Sequence, residues 1–137
     1  MLSKKAVRRL TKLADYMDSL PPEARKHFHM SDWFKHDGLH PLRGKILTRR
    51  HMNDCGTTAC ALGWAATMPA FQKLGLTYNL VGIPWQGFHE PIGRAMKIFD
   101  IDDSVANDLF SADLSIFIHT PKQWARYCRQ VIRKNAE

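Results

Sequence analysis

The chain has 137 residues, 45% of them hydrophobic, with 20 Lys and Arg against 13 Asp and Glu and three cysteines. That length suits one domain with a core of its own, the apolar share is that of an ordinary globular protein, and no apolar run approaches the roughly 18 residues of a membrane span. The excess charge is confined to one end, because residues 1–50 hold 12 Lys and Arg against 5 acids while residues 51–137 hold 8 of each. The basic N-terminus lacks a signal-peptide apolar segment and the cysteine count is odd, so a cytoplasmic protein with reduced thiols is expected.

Residues 3–20 read as an amphipathic helix, since Leu2, Ala6, Leu10, Leu13, Met17 and Leu20 recur at steps of three and four. Lys4, Arg8 and Lys12 fall on the opposite side, widened by Lys5 and Arg9. The acids Asp15 and Asp18 arrive only near its end, against the preference of the helix dipole. Pro21-Pro22 stops the helix and can start a turn or two through Phe28. Periodicity fails over residues 29–53, which gather His29, His36, His40, aromatic, glycine and basic residues, so a long irregular loop is expected there. Ser31 can cap a short turn holding Trp33 and Phe34, and Arg49, Arg50 and His51 come near its end.

Residues 57–68 predict a buried central helix, capped by Thr57 or Thr58 and apolar on nearly every side from Ala59 onward. Gly56 frees the turn before it. Gly63 beside Trp64 predicts a close helix contact, since glycine inside a helix costs about 1 kcal/mol relative to alanine. Pro69 breaks the run. Residues 70–74 then read as a short helix closed by Gly75, and 76–83 as a short extended segment. Gly82, Pro84 and Gly87 make a loop presenting Trp85 and Phe88. A helix is predicted over 91–99, and another, capped by Asp102, to Phe110. Thr120-Pro121-Lys122-Gln123 is a capping box with proline at the first helical position, opening a final helix over 121–134. Lys122, Arg126, Arg129 and Arg133 follow one another at four, three and four residues, a second basic stripe.

One motif resembles a known family. Cys55, Gly56, Thr57, Cys60, Gly63, Trp64 and Ala65 fit the signature Cys-Gly-Thr-x-x-Cys-x-x-Gly-Trp-Ala of small uncharacterised bacteriophage and prophage proteins. His29-Met30-Ser31-Asp32-Trp33 upstream, and Ile98 to Ile101 with Asn107 to Phe110 downstream, resemble that family as well. The similarity covers about residues 28–132. It implies a phage or prophage origin and a bacterial host, and it supplies no mechanism.

Four kinds of chemistry compete for the remaining residues. Cys55, followed by glycine at the start of an apolar helix, is similar to the thiolate of papain-like peptidases, with His89 or His119 as base. The glutamine such enzymes place upstream is missing, and a cysteine packed as a small hydrophobe meets the pattern equally. A zinc module would draw on His51 and Cys55 among five histidines from His27 to His51. Cys55 and Cys60, however, stand five apart without a Cys-x-x-Cys pair, and scattered surface histidines are the plainer reading. Lys4, Lys5, Arg8, Arg9, Lys12, Arg49 and Arg50 are the candidates for nucleic-acid or anion binding, set against a merely solvated basic face. Trp33, Phe34, Trp85 and Phe88 are candidate anchors for a partner, set against ordinary core aromatics. The expectation is therefore a mostly all-α bundle of five to seven helices around the central one, with at most one short extended pair. It binds a host protein or nucleic acid without catalysis, with no cofactor and no membrane partner, and a cysteine hydrolase and a zinc module stand as alternatives.

Overall fold

A computed structural model of the protein describes residues 1–30, 60–74, 76 and 89–135. The first helix, α1 (Lys4–Ser19), begins at Ser3, whose backbone is extended and whose Oγ accepts from the Ala6 amide at 3.0 Å. Ala6, Leu10, Leu13, Ala14 and Met17 are buried along one side of it. Leu20 returns to extended geometry ahead of Pro21, and the prolines open a 3-10 segment, Pro22–His27.

The second helix, α2 (Ala61–Ala65), is shorter than the 57–68 expected from composition. Cys60 is extended, with φ −78° and ψ 179°, so it stands at the N-cap position rather than inside the helix. Thr57 and Thr58, the expected caps, lie outside the described residues. At the other end the Thr67 hydroxyl donates to the Trp64 carbonyl at 2.5 Å, and Met68 turns extended before Pro69, which opens α3 (Pro69–Gln72). A proline has no N–H for the helical ladder and biases its predecessor away from helix, so the run could not continue. Burial follows the expectation better than length does. Every residue from Cys60 to Met68 is buried, Gly63 and Trp64 included, and Trp64 Nε1 donates to the His27 carbonyl at 3.1 Å.

The fourth helix, α4 (His89–Phe99), ends with Asp100 in the left-handed region, φ 56°, and the Ile101 amide donating back to the Met96 carbonyl at 3.1 Å. Asp102 then caps α5 (Asp103–Phe110) by accepting from the Val105 amide at 2.9 Å. A 3-10 segment, Ala112–Ile116, which periodicity did not announce, leads to α6 (Pro121–Asn135). The capping box closes there in both directions: Thr120 Oγ1 accepts from the Gln123 amide, and Gln123 Oε1 accepts from the Thr120 and His119 amides at 3.1 and 2.7 Å.

Helices α1 and α6 pair antiparallel. The Leu2 amide donates to the Asn135 carbonyl at 2.8 Å at one end, and Lys122 Nζ donates to the Asp18 carbonyl at 2.7 Å at the other. A run of rings closes the core between α3, α4, α5 and α6, with centroids 5.0 Å apart for Phe71–Phe99, 5.5 Å for Phe99–Phe110 and 5.7 Å for Phe110–Trp124. The fold is thus all-α, with six α-helices, two 3-10 segments and no strand among the described residues. Apart from Leu76, the segment expected to be extended lies outside them. No helix among them is long and apolar enough to cross a membrane.

Candidate anion-binding surface

The two basic stripes belong to the two helices that pair most closely, and the structure sorts their cations into paired and open ones. The α6 stripe is divided. Arg129 donates to Asp15 Oδ1 at 2.9 Å and to Asp18 Oδ2 at 3.1 Å, while Lys122 Nζ lies 3.3 Å from Asp18 Oδ1. The hydrogen bonds from Arg129, then from Lys122, hold the Asp18 carboxyl below the usual carboxylate range, and the bonds to Asp15 and Asp18 in turn raise Arg129. The late acids of α1, unexplained by the helix alone, are therefore partners for α6.

Arg126 and Arg133 occupy the same stripe of α6 by their spacing, are exposed, and meet no acid among the described residues. Sequence reading saw them as part of a stripe but did not place them at the site. The signal that locates them is the antiparallel pairing, which sets Arg133 beside the first turns of α1 and Arg126 beside its middle.

That half of α1 carries the open cations. Lys4, Lys5, Arg8 and Lys12 are exposed, opposite the buried side of the helix, and no hydrogen bond or ion pair engages them among the described residues. Lys4 to Lys12 spans about 12 Å at about 1.5 Å per residue. Arg9 departs from the expectation. It is half-buried, and its Nη1 donates to the Ile98 carbonyl at 2.7 Å, capping the C-terminal end of α4. Ser3 adds a second tie to the same corner by donating to Asp100 Oδ2 at 2.7 Å. Asp100 is thereby occupied as well.

Most of the other proposed site residues fall outside what the structure describes, namely Arg49, Arg50, His51, Trp33, Phe34, Trp85, Phe88, Cys55, Gly56 and Thr57. His89 opens α4. His119 is exposed at the foot of α6, whereas Cys60 and Cys128, the cysteines among the described residues, are both buried. Burial pushes the Cys128 thiol up to about 12, which leaves it neither nucleophile nor metal ligand. Among the described residues no group of three or more His, Cys, Asp or Glu is disposed to hold a metal ion. Set against known proteins, the chain matches no family model, no curated protein and no solved structure.

Proposed function

We propose that the protein is a non-catalytic, phage-type accessory protein whose basic face, formed by α1 with the adjoining stripe of α6, binds the phosphate backbone of a nucleic acid. One observation carries the reading. The acids of α1 are engaged by α6, so Lys4, Lys5, Arg8 and Lys12 remain as a continuous exposed row whose charge is not neutralised by described neighbours. Arg126 and Arg133 extend it. Phosphate contact requires clustered Lys and Arg and no base-reading geometry, so the expected binding is independent of sequence. The resemblance of the Cys55 to Ala65 segment to small phage proteins supports an accessory role inside a bacterial host.

The test is a gel-shift titration on duplex and single-stranded DNA and on RNA at two salt concentrations. Six engaged cations predict a log–log salt slope of about −5 on duplex DNA, a loss of about a thousandfold in affinity between 50 and 200 mM salt. The Lys4→Glu, Arg8→Glu, Lys12→Glu triple variant should keep its melting temperature and lose binding. Absence of binding at low salt, or full binding by the triple variant, refutes the reading. A host protein with an acidic surface is then the remaining partner for this face.

A further inference from the structure

At the far end of the α1/α6 pair from the open basic row lies a slot of ≈ 210 Å³, between the Pro-Pro turn and the start of α6. It is lined by the apolar Leu20, Pro21, Pro22 and Pro121 together with Thr120 and the cations Arg25 and Lys122. A shallower depression of ≈ 400 Å³ shares Pro22 and Arg25 and continues past Glu23, Lys26 and His119.

We propose that this slot docks an acidic peptide segment of a partner protein, seating one aliphatic side chain on the prolines with a flanking carboxylate between Arg25 and Lys122. The volume is below the roughly 300–1,000 Å³ of small-molecule sites, so a cofactor does not fit, whereas a single side chain does. The charge pattern specifies the flank. Arg25 is exposed and its guanidinium has no partner among the described residues, while Lys122 spends two contacts on Asp18 and keeps one N–H. Glu23 and Asp18 stand beside these cations, so the field suits an isolated carboxylate and opposes a run of phosphates. A guanidinium fork also pairs with a carboxylate in two parallel hydrogen bonds, which gives the contact direction. This surface is independent of the basic row of α1, and neither reading requires the other.

The experiment is fluorescence polarisation with a labelled heptapeptide carrying a central leucine between two glutamates in a serine and glycine background. Two companion peptides replace the leucine with serine or both glutamates with glutamine. The expected result is binding of the first at least tenfold tighter than either companion. Arg25→Glu should weaken it at least tenfold without moving the melting temperature, and Arg25→Gln should fall between. The triple variant of Lys4, Arg8 and Lys12 should bind the peptide as the parent does, even where it no longer binds DNA. Equal affinity for leucine and serine peptides, indifference to Arg25→Glu, or loss of peptide binding in the triple variant overturns the proposal. So does loss of DNA binding in Arg25→Glu without any peptide binding, since the slot would then serve phosphate.

Discussion

Arg8 and Arg9 are adjacent and identical in kind, yet they should respond to substitution in opposite assays. Arg9 donates from a half-buried position to the Ile98 carbonyl at 2.7 Å, at the end of α4 where carbonyls lack helical partners. A hydrogen bond from a charged donor contributes about 1.5–3 kcal/mol when well buried, and partial exposure lowers that, so Arg9→Ala should cost about 1–2 kcal/mol. With a urea m-value of about 2 kcal/mol/M, the midpoint should fall by about 0.5–1 M at unchanged slope. Arg8→Ala touches an exposed side chain and should change stability by less than about 0.5 kcal/mol. In DNA binding the order reverses: Arg8→Ala should reduce the salt slope by about 1, and Arg9→Ala should leave it alone. Urea melts and salt titrations of both variants give four numbers. If the two arginines weaken binding equally, or if Arg9→Ala unfolds at the parent's midpoint, the division of α1 into a bonded edge and an open face is wrong.

Trp124→Phe should destabilise by about 2–4 kcal/mol, read from the same urea melts. The indole Nε1 donates to the Leu109 carbonyl at 2.8 Å at the end of α5, and phenylalanine would leave that buried acceptor unpaired beside a smaller ring. The α1–α6 ion pairs should make stability depend on acid. Asp18 has a folded pKa lowered below its ordinary 3.8, so its contribution is present above that value and is lost as pH falls through the folded one. Asp18→Asn should flatten the acid limb of a melting-temperature profile below about pH 4, and an unchanged profile would show the pairing to be energetically silent.

The elements legible in the sequence were those fixed by local hydrogen bonds or by a local apolar period. Asp102 and the Thr120–Gln123 box each cap a helix through atoms within three residues, so spacing alone located α5 and α6, while the apolar recurrence from Leu2 to Leu20 located α1. What depends on partners far along the chain was not legible. The positions of Asp15 and Asp18 looked unfavourable until Arg129, more than a hundred residues on, was seen to bond them. Arg9 read as one more surface cation because nothing in its neighbourhood names Ile98. The central helix was overextended for a related reason: an apolar run shows that a segment is buried, and does not show whether Cys60 is its first helical residue or the extended one before it.

On the proposed reading the charge arrangement of α1 serves binding rather than folding. Its first turn holds Lys4 and Lys5 and no acid, at the end where the helix dipole favours negative charge by about 0.3–1 kcal/mol per group. Lys4, Arg8 and Lys12 stand four residues apart, and each such like-charged pair costs a further 0.2–0.5 kcal/mol or so. Acids were available to this helix, since Asp15 and Asp18 sit on it, but they are placed where they bond α6 rather than where they would relieve the first turn. The Asp100 carboxylate, bonded to Ser3 at the N-cap, lies at the positive end of the helix, and what remains on the open face is about 0.4–1 kcal/mol of like-charge repulsion along Lys4, Arg8 and Lys12. A polyanion laid along that face, as proposed above, would remove the repulsion along the row. A row of like charges that no acid among the described residues pairs is what the proposed phosphate-binding face would require.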